Sequence, residues 1–353
     1  MFHEAIKAAA EAAPHEVATV ALIPGLELHV DGDYLAYYAS GNDDTAAGEA
    51  RLNAIGLIDK FRSMSGAERV VVHNTAKGCH KGERYLVATI KPYQAQRKAG
   101  RKPKNHEYLQ DWLQGYEGDL FRSKTWTSRE ADDGIAACAH FAIGKAPGYV
   151  VIATADKDLR MLPGMHINWQ TKQLIRVNPG DYDVLGEDGK QYGLKFFFQQ
   201  LLMGDTADHI PGLPEFRSTD AKGNLKYKLL GEKTAQALLD DCPDTKSAVE
   251  QVCDLYFLSY HRDALNCMSR RNVEFTQWAD RLAEQAALLW MRCGLEGSLV
   301  DFAAHNGHSH VAWPQPIITA AMRLQERVSL ARAKINELGS SDDPLCSTDC
   351  TTE

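Results

Sequence analysis

Four short acidic clusters terminate or interrupt apolar, small-residue runs in this chain: Asp31-Gly32-Asp33, Glu130-Ala131-Asp132-Asp133, Asp156-Lys157-Asp158 and Gly204-Asp205-Thr206-Ala207-Asp208. Carboxylates in such settings lose hydration and repel one another, so a group of them persists only around a compensating charge. Their placement constrains the fold. Leu26, Leu28 and Val30 alternate with Glu27 and His29 before Asp31, a strand pattern that ends in an acid. Arg69–Val72 and Tyr149–Thr154 are more continuously apolar and read as buried parallel strands, the first nearer an edge. Helical patterns lie between them, over Ala46–Met64 with Leu52, Ile55, Ile58 and Phe61, and over Asp132–Ile143. Strand–helix alternation predicts an α/β fold with a mostly parallel sheet, and such sheets gather ligands beyond the C-terminal ends of their strands. Asp31 and Asp156 occupy that position. A further pair, Asp43-Asp44, lacks apolar context and is set aside.

A chain of 353 residues with 44% hydrophobic content can bury a sizeable core as one large domain with appendages or as two domains. No run of about 18 apolar residues occurs, which argues against a membrane span. The N-terminal stretch disperses Glu4, Lys7, Glu11, His15 and Glu16 among alanines and reads as an amphipathic helix ending near Pro14, not as a signal peptide. Eight cysteines without a CxxC pair favour reduced thiols and a cytoplasmic setting.

The net charge of −8 is unevenly spread. Lys77, Lys81, Arg84, Lys91, Arg97, Lys98, Arg101, Lys102 and Lys104 face only Glu83 within their own segment, which leaves the remainder strongly acidic. A solvated helix normally mixes signs, so this patch reads as a footprint for phosphates.

Further along, apolar Phe196–Met203 precedes Gly204-Asp205 and the turn Ile210-Pro211-Gly212-Leu213-Pro214. A polar insert, Glu215–Lys228, follows before Leu230-Gly231-Glu232-Lys233-Thr234-Ala235 opens a helix. Backbone amides at such a helix start, with Lys233 and Thr234, suit a phosphate; a plain helical hairpin is the alternative. Long helical patterns include Phe275–Met291 and Ile317–Leu338, and Gly339–Glu353 reads as a disordered tail.

Hard oxygen ligands suit Mg²⁺ or Mn²⁺ better than zinc. Paired divalent ions held by carboxylates serve in-line phosphoryl displacement. The residues alone therefore predict a metal-dependent phosphodiesterase.

The motifs resemble, in family order, those of the 5′-nuclease superfamily of flap endonucleases and 5′→3′ exonucleases, with the stand-alone phage exonucleases the nearest likeness. The motifs are Asp31-Gly32-Asp33-Tyr34-Leu35, the basic Lys91-Pro92-Tyr93-Gln94-Ala95-Gln96-Arg97-Lys98, Glu130-Ala131-Asp132-Asp133-Gly134, Thr154-Ala155-Asp156-Lys157-Asp158-Leu159 and Met203–Gly212. Three departures stand out. His73-Asn74-Thr75 lacks the Asp that usually follows that strand, Gln94 stands where an arch lysine is usual, and Glu215–Lys228 interrupts the glycine turn.

The resemblance implies a PIN-like catalytic domain over 26–195 with a helical arch at about 77–112. A helix–three-turn–helix module would span 196–245 and a helical region 246–338, with an N-terminal extension over 1–25. It implies two Mg²⁺ ions, with Mn²⁺ as a substitute and K⁺ at the helical module. Asp31, Glu130 and Asp132 would hold the first ion; Asp156, Asp158, Asp205 and Asp208 would hold or outer-shell the second, with Asp133 as ligand or neighbour. Asp33 is equally a helix cap. Arg84, Lys91, Arg97 and Lys98 would meet the scissile phosphate. Tyr93, Gln94, Lys77, Lys81, Arg101, Lys102, Gly212, Gly231, Lys233 and Thr234 would bind DNA. The expected substrates are DNA with 5′ ends, flaps or nicks, and RNA–DNA hybrid, in phage-type replication with RNA-primer removal. The protein would act as a monomer in the cytoplasm, away from membranes. Two alternatives stay open: a catalytically impaired branched-DNA-binding protein and a PIN-type ribonuclease.

Overall fold

Period-two alternation in Ile23–Asp31 (β1) puts Leu26, Leu28 and Val30 on one face and Glu27, His29 and Asp31 on the other. Both faces are covered, so the second set is buried too, except the partly exposed Glu27. The computed structural model describes residues 20–95, 101–219, 222–266, 278–294, 296–304 and 311–340. Expectations for the N-terminal helix, for Arg97 and Lys98, and for the tail beyond 340 lie outside the described residues. The chain divides into two compact units, 1–79 with 101–192, and 80–100 with 193–353.

The first unit is a six-stranded sheet in the order β3-β2-β1-β4-β5-β6. It is built from β1, Ala67–Thr75 (β2), Arg122–Trp126 (β3), Val151–Ala153 (β4), Gly164–Ile167 (β5) and Leu174–Val177 (β6). Every neighbouring pair is parallel except β5–β6. Gly32–Ala39 (α1), Ala47–Ser65 (α2) and His106–Gln114 (α4) bury Leu35, Ala36, Ala54, Ile58, Phe61, Leu109 and Leu113 with Leu28, Val30 and Val72 in one core. Ala131–Phe141 (α5) packs on β1, β2 and β3 from the side that carries His29 and Asp31. The mostly parallel α/β architecture is thus as the strand–helix alternation implied. β3 was not anticipated: its sequence Arg-Ser-Lys-Thr-Trp is polar because it lies at the sheet edge.

The second unit is helical. The segment expected to form a helical arch starts instead with a 3₁₀ turn at Lys81–Glu83 and a single turn at Arg84–Val87 (α3), and residues 88–94 are not helical. Trp278–Leu289 (α9) and Gln315–Ser340 (α10) pack on α3, Leu194–Met203 (α6) and Thr245–Asn266 (α8) pack on α9, and the short Glu232–Ala237 (α7) after Gly231 packs on α6. Phe197 meets Trp290 edge-on at 4.9 Å, and the buried Tyr256 hydroxyl donates to the Leu201 carbonyl at 2.7 Å. The polar insert 215–228 pairs Phe216–Thr219 (β9) with Leu225–Lys228 (β10) as antiparallel strands. Two short strands of the first unit, Val184–Leu185 (β7) and Gln191–Tyr192 (β8), pair with each other.

Candidate metal centre and nucleic-acid-binding residues

In the first unit, register decides which acids meet. Val30 pairs with Ala153 across the parallel β1–β4 ladder, so Asp31 and Thr154 leave their strands side by side. The Thr154 hydroxyl donates to Asp31 Oδ2 at 2.9 Å, and the Asp156 amide donates to Thr154 Oγ1 at 3.0 Å. Asp31 is also the N-cap of α1, accepting from the Tyr34 amide at 3.0 Å. Asp33 is therefore not the cap; its Oδ1 accepts the Thr75 amide at 3.2 Å at the end of β2. The Thr75 hydroxyl in turn accepts the Ala131 amide at 2.9 Å, which ties the first turn of α5 to the same strand end. Glu130, Asp132 and Asp133 begin that helix, Asp133 fully buried and its amide donating to Asp132 Oδ1 at 2.6 Å.

These acids sense one another. Burial pushes the Asp31 carboxyl up to about 7; the charges of Asp33 and Asp156 push the same way, and the Tyr34 and Thr154 hydrogen bonds oppose them. Asp33 is also raised, by burial and by the charge of Glu130, against its bonds to Thr75. Asp31, Asp33, Glu130 and Asp156 thus form one electrostatic group at the C-terminal ends of β1, β2 and β4. A buried acid group of this kind, built only of hard oxygen donors, fits a divalent cation such as Mg²⁺. Asp156 also caps the 3₁₀ turn Lys157–Met161, accepting the Asp158 amide at 2.9 Å, so Asp158 is held beside it.

Asn74, which replaces the expected strand-end acid, donates to Ser123 Oγ at 3.1 Å and is buried. A Cβ on Gly32 would lie 2.3 Å from Asn74 Oδ1, so the Asp-Gly-Asp turn needs its glycine for this close approach. Thr75 and Thr154 belong to the group but were given no role; a threonine beside an acid carries no pattern of its own.

In the second unit, Asp205 and Ile210 exchange backbone hydrogen bonds of 2.8 and 2.7 Å, closing a tight turn. Asp205 is buried and accepts the Ala207 amide at 2.8 Å. Asp208 accepts from the Tyr93 hydroxyl at 3.1 Å and from Gln94 Nε2 at 3.3 Å. Lys81 Nζ donates to Gln94 Oε1, so an ammonium reaches the place of Gln94 from a different residue. Tyr93 is thereby tied to Asp208.

Arg84 was expected at a phosphate, but its exposure is 1%; Nε donates to the Leu288 carbonyl and Nη2 to the Trp290 carbonyl, both at 3.2 Å. It anchors the helical unit. Gly212 is likewise taken up internally: its amide donates to Gln285 Oε1 at 3.0 Å, and its φ of +67° lets it lie against Gly204. Lys91, Lys102, Gly231, Lys233 and Thr234 are exposed. Lys77 lies 3.6 Å from Glu107, and Arg101 pairs with Asp43 at 2.9 Å, giving the acid set aside earlier a basic partner.

Among the described residues, no helix is long and apolar enough to cross a membrane. No protein-family model and no curated protein matches the chain. Among solved structures it is similar to the phage T5 D15 protein co-crystallised with metal ions, at 15% identity and a TM-score of 0.40 over 88% of this chain and 98% of that one. It is similar to the bacteriophage T5 D15 flap endonuclease in a pseudo-enzyme–product complex with DNA and metal ions, at 15% identity and a TM-score of 0.42 over 86% and 99%. A third likeness is T5 5′-exonuclease with divalent zinc bound, at 16% identity and a TM-score of 0.46 over 85% and 98%.

Proposed function

We propose that this protein is a metal-dependent 5′-nuclease that trims DNA from 5′ ends and cuts 5′ flaps. The observation that supports it most is the close group of Asp31, Asp33, Glu130 and Asp156 at the C-terminal ends of parallel strands, with Asp31 and Glu130 buried and Asp33 and Asp156 partly so. The ordered motifs of the sequence add to it. Asp31, Glu130 and Asp132 would hold one Mg²⁺, and Asp156 and Asp158 would contribute to a second. The same reading gives Asp205 and Asp208 metal-holding roles. When bound, such ions supply a water of lowered pKa and neutralise charge on the departing 3′ oxygen.

The chain's own groups orient the carboxylates. Tyr34 N–H and Thr154 O–H each donate to one oxygen of Asp31, and Thr75 N–H donates to Asp33. Lys91, Arg97, Lys98 and Lys102 would attract the phosphate backbone without reading sequence. RNA–DNA hybrid is a further substrate class within the proposal, and phage-type replication with primer removal is the role it fits.

Incubating the protein with a 5′-labelled flap and a nicked duplex, with and without Mg²⁺, tests the reading. Short labelled products that require the metal and vanish in Asp132→Ala support it; no product with any divalent ion sinks it. Asn74, held by Ser123 where an acid is usual, favours a second reading, a branched-DNA binder without turnover. That reading requires metal-independent binding and cleavage no faster than that of Asp156→Asn.

A further inference from the structure

On the sheet face that carries Asp31 lies a second cluster: His29, His73 and Cys138. One nitrogen or sulfur of each lies within 4.8 Å of the others. The composition suggests a soft-metal site, but the hydrogen bonds argue otherwise. Trp126 Nε1 can only donate, and it lies 3.0 Å from His73 Nδ1, so that nitrogen is the acceptor. The His73 proton is therefore on Nε2, which donates to His29 Nδ1 at 2.8 Å. That leaves the His29 proton on Nε2. Neither Nε2 keeps a lone pair for a metal.

The chain of donors ends at His29, beside the thiol. His29 is fully buried, and its Nε2 finds no hydrogen-bond acceptor; the Glu27 carboxylate is 3.6 Å away, and Cys138 is the other group beside it. Lys124 Nζ stands 4.0 Å from Cys138 Sγ. Cys138 itself lines a cavity of about 410 Å³ together with Arg69, Arg122, Lys124 and Lys145 against the single carboxylate Glu27. Arg69 is paired with Glu27 at 3.1 Å, which leaves the other three cations facing the space. Burial raises the Cys138 thiol, but the adjacent His29 and the charge of Lys124 outweigh it, and the net shift is downward. Cys242, Cys253 and Cys293 are buried with thiols shifted upward by burial.

We propose that Cys138 is a modification site, a nucleophilic thiol that takes up small anionic disulfides of the glutathione type from the basic cavity. The Cys138 thiolate attacks one sulfur of the disulfide; a Cys138–glutathione S–S bond forms, the original S–S bond breaks, and the second glutathione leaves as thiolate. The cations hold the carboxylates of the incoming disulfide, and His29 Nε2–H and Lys124 stabilise the attacking sulfur. The proposal stands independently of the nuclease reading.

The test exposes the full-length protein to oxidised glutathione, which is anionic, or to cystamine, a cationic disulfide, and maps adducts by mass spectrometry over time. With oxidised glutathione, Cys138 should react before Cys79, the other partly exposed cysteine among the described residues. The glutathione-to-cystamine rate ratio at Cys138 should exceed that at Cys79 by at least about tenfold, the low end of electrostatic focusing in a charged cleft. Lys124→Gln and Arg122→Gln, both partly or fully exposed positions that leave the core intact, should lower that ratio about tenfold together. A Cys138 that stays unmodified while Cys79 reacts overturns the proposal, as does a rate ratio indifferent to both substitutions.

Discussion

Asp31 carries the clearest consequence at the scale of a residue. Its carboxyl titrates near 7 in the folded protein against an ordinary 3.8. Between those values the folded chain keeps a proton that the unfolded chain releases. The group therefore weakens the fold progressively as pH rises from about 4 to 7, with the full penalty present above 7. Without divalent metal, thermal stability should fall across that window. Asp31→Asn should flatten the fall and stabilise the metal-free protein at pH 8 by on the order of 2–4 kcal/mol. Mg²⁺ added at pH 8 should raise the melting temperature of the parent and leave the variant unmoved; a parent stabilised by rising pH in chelator would refute the assignment. Arg84 makes the opposite kind of prediction. Arg84→Ala leaves the Leu288 and Trp290 carbonyls without their donor and opens a buried space. Urea unfolding should show a loss of about 2–4 kcal/mol, while the folded fraction keeps its substrate affinity. A tenfold loss of affinity at unchanged stability would return Arg84 to a phosphate.

At the scale of elements, α5 joins the acids to the rest of the sheet. Its first turn supplies Glu130, Asp132 and Asp133, and Gly134 lets it approach β3. A Cβ at Gly134 would lie 2.1 Å from Trp126 Nε1, the same atom that donates to His73. Gly134→Ala must push the helix or the indole away. Overpacking of this kind costs about 1–3 kcal/mol, and because it moves the acids it should also weaken Mg²⁺ binding measured by calorimetry. A variant with both properties intact would show that α5 is not held by this contact. What the sequence disclosed follows the same division. β1 and α2 were legible because their apolar spacing matches the period of a strand or a helix, and the acids because they stand where those periods break. β3 was not, since an edge strand needs little apolar surface. His29 and His73 gave no sign of burial, because a histidine on the polar half of an alternating strand reads as exposed until a helix is known to cover it. A helical arch at about 77–112 was expected from the resemblance of its basic motif, and basic charge does not specify helix; over 81–87 the structure gives short turns that belong to the helical unit.

For the whole molecule, the question is how a chain of net charge −8 would meet a polyanion. Its one strongly basic segment runs from Lys77 to Lys104, and the basic residues there are not equivalent. Arg101 already has Asp43 at 2.9 Å and Lys77 has Glu107 at 3.6 Å, whereas Lys91 and Lys102 are exposed. Arg84 is withdrawn into the interior. If the segment contacts phosphates, each contact releases counterions, and the logarithm of affinity falls linearly with the logarithm of salt by roughly 0.9 per contact on duplex DNA. Replacing Lys91, Arg97 and Lys98 together by alanine should then reduce the slope by about 2 to 3. Arg101→Ala should change it by less than one, because the native guanidinium already has a carboxylate beside it. Fluorescence anisotropy with a labelled flap substrate between low and moderate salt, in Ca²⁺ to prevent turnover, reads both slopes. Equal slopes for parent and triple variant would mean that the basic segment is solvated surface and that any DNA affinity arises elsewhere on the chain.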